Sequence, residues 1–107
     1  MIYTLTSANQ GEVLELRPAD RLLIRLPENP TTGFQWAVDT IDDRFVGVQS
    51  ATYEIASNAG IGGGGTRLFR LVAKQAGVTQ VRLKLWREWL GDSSVTQWYQ
   101  LTIRVLA

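Results

Sequence analysis

Hydrophobic and polar residues alternate along most of the chain, which is the pattern of β-strands with one buried face. In the run VTQVRLKL, Val81, Leu83 and Leu85 alternate with polar residues, and the earlier run RLLIRL follows the same rule except at Leu23. The clearest case is TQWYQLTIRVL, whose apolar face consists of Tyr99, Leu101, Ile103 and Val105. Turn-forming residues separate these runs. The pattern predicts eight strands, near residues 2–6, 12–17, 20–26, 34–39, 45–55, 66–73, 78–87 and 95–106.

Seven or eight short strands in 107 residues, without a window of helical periodicity, indicate an all-β protein. We expect an immunoglobulin-like antiparallel β-sandwich in which residues 1–107 form a single domain. Hydrophobic residues make up 45% of the chain, which is enough for one core. Trp36 falls on the third or fourth strand, where it is well placed to fill that core.

The absence of two residue types excludes several classes of enzyme and metal site. The chain has neither Cys nor His, so it offers no thiolate nucleophile, no histidine general base and no Cys/His metal site. An enzyme would have to use carboxylates, yet Asp42 and Asp43 have the form of a solvated turn, and nothing pairs them with Glu88 or Asp92. We therefore predict a protein that is not an enzyme and uses neither metal nor cofactor.

The charges are balanced, with 11 basic and 10 acidic residues and a net charge of +1. Because the cations are scattered singly along the strands, the sequence predicts no binding of nucleic acid or of an anionic membrane. No apolar stretch approaches the roughly 20 residues that span a bilayer. The N-terminal segment MIYTLTSANQGEV shows no signal peptide, and the compartment stays open. We expect a monomer, since no apolar face is evident beyond the loops.

Three connections between predicted strands are more elaborate than a turn requires. With the first short strand counted as an edge piece, the B–C loop contains NPTTG, the D–E loop contains NAGIGGGG and the F–G loop contains REWLGDSS. In a sandwich these three connections gather at the same end. The sequence therefore predicts that they lie side by side.

Each loop taken alone allows a structural and a functional interpretation. In the B–C loop, Pro30 restricts the backbone before two threonines and Gly33 allows a positive φ after them, which would suit a rigid connector as well as a binding tip. The glycines of the D–E loop indicate a flexible tip or a close approach to another surface; a phosphate cradle is excluded because no Gly-Lys-Ser/Thr and no helix follow. In the F–G loop, Trp86 and Trp89 flank Arg87 and would either cap the core or form a binding hot spot.

Taken together, the three loops resemble the signature of the chagasin-type inhibitors of papain-family cysteine peptidases. That family has an NPTTG-type B–C loop, a Gly-x-Gly-Gly D–E loop and an Arg-Pro-Trp or similar F–G loop. The resemblance covers essentially the whole chain, with Glu88 in the place of the family's proline. The corresponding residues are Asn29, Pro30, Thr31, Thr32, Gly33, Gly62, Gly63, Gly64, Gly65, Thr66, Arg87, Glu88 and Trp89.

The resemblance implies that these residues bind a papain-like cysteine peptidase reversibly and without covalent chemistry. The B–C loop would enter the cleft at the catalytic Cys and His, where Thr31 and Thr32 offer hydroxyl and backbone hydrogen bonds. The D–E glycines would lie along the non-primed side, and Trp89 with Arg87 would pack on the primed side. The alternative is an immunoglobulin-like module that binds a protein or glycan without inhibiting a peptidase. Finding Trp89 on a flat strand face, away from the B–C loop, would favour that alternative.

Overall fold

The computed structural model describes residues 1–55 and 64–107, and it contains all eight predicted strands with ends displaced by at most two residues. The helices in this part of the chain are 3-10 turns of three residues, none of them long and apolar enough to cross a membrane. The strands are β1 (Ile2–Thr6), β2 (Val13–Leu16), β3 (Arg21–Glu28), β4 (Gln35–Thr40), β5 (Val46–Ile55), β6 (Gly65–Ala73), β7 (Gly77–Trp86) and β8 (Gln97–Val105).

The strands form two four-stranded sheets, in the orders β1-β3-β6-β5 and β2-β8-β7-β4. This arrangement confirms the immunoglobulin-like sandwich. Four of the six pairings are antiparallel, as expected, but β1 pairs parallel with β3 and β2 pairs parallel with β8, so both sheets are mixed. The chain leaves the first sheet to form β2 before it returns as β3. That crossover lets β1 and β3 run in the same direction.

The alternation read from the sequence places apolar residues between the sheets. The run on β8 is buried as predicted, and Trp36 on β4 is a core residue with 5% of its surface exposed. Leu23, which breaks the alternation, lies half-buried on β3, between two residues that belong to the core. The core cluster consists of Leu5, Leu16, Leu22, Ile24, Leu26, Trp36, Val46, Phe69, Leu71, Ala73, Val81, Leu83, Tyr99, Leu101, Ile103 and Val105.

The inward-facing positions of β3 end in a carboxylate. Glu28 follows Leu22, Ile24 and Leu26 on that face and is 6% exposed. Its Oε2 accepts a 2.7 Å hydrogen bond from Nη2 of Arg67, and its Oε1 accepts from Nε of Arg67 at 3.2 Å. Oε1 also accepts a 2.7 Å hydrogen bond from the backbone N–H of Trp36. Since β3 and β4 belong to different sheets, this carboxylate joins the two sheets where the chain passes between them.

Backbone groups beside Glu28 are held as well. The indole Nε1 of Trp36 donates to the carbonyl of Pro27 at 3.0 Å, and the hydroxyl of Tyr53 donates to the carbonyl of Glu28 at 3.2 Å. The chain is therefore fixed on both sides of the B–C loop, before Asn29 and at Trp36.

We expect Glu28→Ala to lower the free energy of unfolding by about 3–5 kcal/mol, because it leaves the guanidinium of Arg67 buried without its counter-charge. Urea denaturation, monitored by tryptophan fluorescence, measures this change in the free energy of unfolding. Glu15→Ala is the control: its ion pair with Arg104 has both side chains 58% exposed, so we expect a change below about 1 kcal/mol. Equal effects of the two substitutions would show that the buried pair does not hold the sheets together.

Tyr99 makes stability depend on pH in alkaline solution. Its ring is buried in the core, its hydroxyl donates to the carbonyl of Thr6 at 2.8 Å, and burial raises its pKa to about 12. An unfolded tyrosine loses its proton near pH 10. Between these two values the folded chain holds a proton that the unfolded chain has released, so the free energy of unfolding falls as the pH rises.

We expect this decline from about pH 10 to about pH 12 in urea titrations of the wild-type protein, with full stability below pH 10. Tyr99→Phe should be less stable at pH 7, because it lacks the hydrogen bond, but should show a smaller decline over the same interval. An unchanged slope in the variant would assign the alkaline transition to other groups.

Candidate functional site

The strand register places the described ends of the three loops together. Glu28, the last residue of β3, is paired with Gly65, the first residue of β6. In the other sheet, Leu85 near the end of β7 is paired with both Trp36 and Gln97. A cleft of about 710 Å³ lies at this end of the sandwich, and residues from all three connections line it. Clustering of the loops, predicted from topology, is therefore present in the described residues.

The B–C loop is a short 3-10 turn stabilised by its own polar groups. Asn29 caps the turn: its Oδ1 accepts from the backbone N–H of Thr31 at 3.1 Å and from the Thr31 hydroxyl at 2.7 Å. The hydroxyl of Thr32 donates to the carbonyl of Asn29 at 2.8 Å and accepts from the N–H of Phe34 at 3.3 Å. Pro30 begins the turn at a position where its missing N–H costs nothing. Thr31 and Thr32 are exposed at the tip.

Gly33 ends this turn and meets the F–G loop. Its φ of +80° lies in the left-handed region, where a β-branched side chain is strained. A Cβ at this position would lie 2.7 Å from the ring atom Cη2 of Trp89. The backbone conformation favours glycine here, and any Cβ would displace the exposed indole that lies against it.

Arg87 fastens the F–G loop to the B–C loop. Its Nε and Nη2 donate to the carbonyl oxygen of Thr32 at 3.2 and 3.0 Å, and its Cζ lies 4.3 Å from the centre of the Phe34 ring. The guanidinium therefore points toward the B–C loop rather than toward its neighbour Glu88. Glu88 is exposed and makes no ion pair within residues 1–55 and 64–107.

The F–G loop is braced although Glu88 replaces the proline of the resemblance. Two consecutive 3-10 turns, Glu88–Leu90 and Asp92–Ser94, form most of it. The hydroxyl of Ser94 lies 2.9 Å from both the N–H and the carbonyl of Arg87, and 2.6 Å from the carbonyl of Gly91. This hydroxyl accepts from the Arg87 N–H and donates to a carbonyl, so it closes the loop across seven residues.

Of the D–E loop, the structure describes Gly64, Gly65 and Thr66, while Gly62 and Gly63 lie outside the described residues. A Cβ on Gly64 would lie 3.3 Å from the carbonyl oxygen of Glu28, and one on Gly65 would collide with the Glu54 carbonyl and the Tyr53 hydroxyl. These two glycines thus allow close approach between parts of the chain itself.

The two tryptophans of LWREWL have different environments. Trp89 is 69% exposed and Leu90 is 53% exposed, which gives the F–G loop an apolar tip beside Gly33. Trp86 is half-buried, and the centre of its ring lies 3.6 Å from Nζ of Lys84, two residues earlier on the same face of β7. Neither belongs to the core cluster. Because Trp89 lies on a loop in contact with the B–C turn, the geometry favours the inhibitor over the glycan- or protein-binding module.

The carboxylates considered for catalysis do not form a site. Asp42 is paired with Arg44 at 2.7 Å, which lowers its pKa, and Asp92 is paired with Lys84 at 2.9 Å. No group of three or more acidic side chains in the described ranges could hold a metal ion.

Sequence reasoning missed two residues that position the loops, Glu28 and Ser94. Glu28 could have been found, because it continues the inward series Leu22, Ile24, Leu26 immediately before NPTTG. Ser94 carries no such signal, since its role depends on how the loop folds back on itself.

Comparison with known proteins identifies the family. The model of the family described as "Chagasin family peptidase inhibitor I42" matches residues 15–103. Chagasin from Trypanosoma cruzi is 32% identical over 98 residues, which are 87% of this chain and 88% of that protein.

Solved structures support the fold. The cysteine protease inhibitor EhICP2 from Entamoeba histolytica superposes with a TM-score of 0.86 at 21% identity, covering 97% of this chain and 95% of that one. PbICP-C, solved in complex with falcipain-2, gives a TM-score of 0.50 at 17% identity, covering 99% and 88% of the two chains. The family match confirms the prediction of an inhibitor rather than an enzyme. The chain belongs to the chagasin family of peptidase inhibitors.

Proposed function

We propose that this protein is a reversible, tight-binding inhibitor of papain-family cysteine peptidases and that residues 1–107 act as one inhibitor domain. Its B–C, D–E and F–G loops together occlude the active-site cleft. The observation that carries the proposal is the attachment of the exposed F–G tip to the B–C turn through Arg87, Thr32, Gly33 and Trp89. The peptidase-binding residues are the thirteen at the positions of the chagasin signature, including Glu88 in the place of the proline.

The B–C loop has the properties of an inhibitor rather than a substrate. A peptidase needs the scissile carbonyl free and in attack geometry. Here the carbonyl of Asn29 accepts from the N–H of Thr32, that of Pro30 accepts from the N–H of Gly33, and that of Thr32 accepts from Arg87. Three of the four carbonyl oxygens from Asn29 to Thr32, all but that of Thr31, are thus engaged within the protein, and the compact turn resists extension along the cleft.

The exposed threonines can still bind catalytic groups. The Thr31 hydroxyl donates its proton to Asn29, which leaves its oxygen as an acceptor at the tip. In a papain-like enzyme, where histidine lowers the pKa of the catalytic cysteine, the imidazolium is a hydrogen-bond donor. The pairing of acceptor and donor holds the loop over the catalytic pair without a covalent bond.

The F–G tip supplies apolar contact area. Trp89 and Leu90 are both more than half exposed, and a surface tryptophan next to an arginine is the composition typical of interface hot spots. Since Arg87 and Ser94 already fix the backbone below this tip, little conformational entropy is lost when a peptidase binds.

Titration against active papain, followed with a small peptide substrate, tests the proposal. We expect saturable, reversible inhibition that is weakened about 30-fold or more by Trp89→Ala, the loss of a hot-spot side chain. Thr31→Ala should weaken inhibition about fivefold, as expected for one hydrogen bond.

Trp98→Ala is the matched control, because Trp98 is 42% exposed but lies on β8, where Arg82 stacks on its ring at 3.8 Å. It should inhibit like the wild type. Absence of inhibition at micromolar protein against papain and a cathepsin L-type peptidase would contradict the proposal and leave the chain with the family's fold alone.

The variant Gly33→Val tests whether the contact between the B–C and F–G loops is needed for inhibition. It forces an unfavourable backbone conformation and pushes the ring of Trp89 aside, so we expect inhibition to be abolished while the circular dichroism of the sandwich is retained. Gly11→Val is the control, since Gly11 has a φ of +83° but no neighbour within 4 Å of a Cβ. Both variants should lose similar stability, but only Gly33→Val should lose inhibition; normal inhibition by Gly33→Val would refute this account of the B–C loop.

A further inference from the structure

Four cations from two segments that are distant in the sequence lie on the outer face of the sheet β1-β3-β6-β5. Arg21 and Arg25 lie on β3 on either side of Leu23, and Leu23 is paired with Arg70 on β6. Arg70 is thus the diagonal neighbour of both, with backbones about 7–8 Å apart. Lys74 lies at the Arg21 end of this face: its Nζ is 3.0 Å from the position of a Cβ on Gly47, and Gly47 is paired with Val72, which is paired with Arg21. We call these four side chains the basic face.

The cations of the basic face outnumber its acidic side chains, of which β5 carries Glu54. All four side chains are exposed, and none forms an ion pair in the described part of the chain. Residues 56–63, which lie outside it, contain no acidic residue. The polar contact on this face is a 3.2 Å hydrogen bond from Nη1 of Arg70 to the hydroxyl of Thr52, and its nearest acid along β5 is the exposed Glu54.

On the outer face of the other sheet, the cations are paired with carboxylates. Arg82 and Lys84 on β7 share Asp39, at 3.6 and 3.4 Å, and Lys84 also pairs with Asp92. Arg104 on β8 pairs with Glu15 at 3.5 Å. A net charge of +1 therefore hides an asymmetry: cations of one outer face are neutralised within the protein, and those of the opposite face are not.

A small cavity marks the centre of the basic face. It has a volume of about 130 Å³ and is lined by Ile2, Arg21, Leu22, Leu23, Gln49 and Arg70. Two guanidinium groups, each able to form paired hydrogen bonds with a planar or tetrahedral oxyanion, flank this space. The chemistry suits one anionic group in the cavity and further anionic groups at Arg25 and Lys74.

We propose that the basic face binds a sulfated polysaccharide, a linear chain with closely spaced sulfate groups. Two threonines lie among the cations: Thr4 on β1 is paired with Leu23, and Thr52 on β5 is hydrogen-bonded to Arg70. Their hydroxyls can form hydrogen bonds with sugar hydroxyls. The described residues of these four strands place their aromatic side chains on the inward face: Tyr3 and Phe69 pack with the core, and Tyr53 is paired with Arg67. Without an aromatic platform, stacking of nucleic-acid bases gains no support here.

The basic face is separate from the loops that bind the peptidase. Arg21 and Lys74 lie at the opposite end of the strands from Glu28 and Gly65, which border the loops. A polysaccharide and a peptidase could therefore be bound at the same time, and this inference does not depend on the proposed inhibition.

Affinity chromatography and titration with heparin as the probe test the basic face. The variant Arg21→Gln/Arg25→Gln/Arg70→Gln should bind heparin about 100-fold more weakly, at about fivefold for each cation near a densely charged surface. The dependence of the logarithm of affinity on the logarithm of salt concentration should become shallower by about two to three units. The charge-matched control is Arg17→Gln/Arg44→Gln/Arg104→Gln, which removes three exposed cations elsewhere and should bind nearly as the wild type.

Each outcome decides the inference. Selective loss in the first variant, with unchanged papain inhibition and circular dichroism, supports it. Equal loss in both variants would reduce the binding to net charge and overturn it. Tighter binding to duplex DNA, or to vesicles of phosphatidylcholine and phosphatidylserine, than to heparin would replace the polysaccharide by a nucleic acid or a membrane. Hyaluronan, which carries carboxylates but no sulfate, should bind more weakly than heparin; equal binding would overturn the assignment to sulfate.

Discussion

The position of the B–C loop, and of the loops packed on it, depends on one buried carboxylate. Glu28 is the last residue of β3, and it is bound at the same time by Arg67 of its own sheet and by the backbone of Trp36 in the opposite sheet. A buried ion pair adds little net stability, since desolvation offsets most of the attraction. Its contribution is geometric: both ends of the B–C loop are fixed relative to both sheets, so Asn29 to Gly33 project from a defined base.

Above that base, the loops support one another. Arg87 reaches across to Thr32, and the indole of Trp89 lies against Gly33, so the F–G and B–C loops are joined by two contacts. Such mutual contacts lower the entropy that must be lost on binding, which is the main cost for an interface built from loops. Ser94 provides within the F–G loop a constraint that a proline at position 88 would have supplied covalently.

The strands and the loop cluster could be predicted from the sequence because both follow from local pattern and simple topology. Alternation located all eight strands, and the order of strands in a sandwich placed the three loops together. Features that depend on register could not be read in this way. To predict the parallel pairing of β1 with β3, one would have to know that β2 crosses to the other sheet. The brace by Ser94 and the pair of Glu28 with Arg67, 39 residues apart, require the folded chain.

The grouping of charges on one face is another feature that depends on strand register and could not be predicted from the sequence. Along the sequence the cations look isolated, and the balanced composition gives no reason to group them. Cross-strand pairing brings Arg21, Arg25 and Arg70 together, although like charges at such spacing repel and slightly destabilise a sheet. The opposite face shows that this chain can neutralise its cations, as Asp39 does for Arg82 and Lys84. An uncompensated group on one face alone is therefore not a consequence of composition, and an external anion is the partner that would relieve the repulsion.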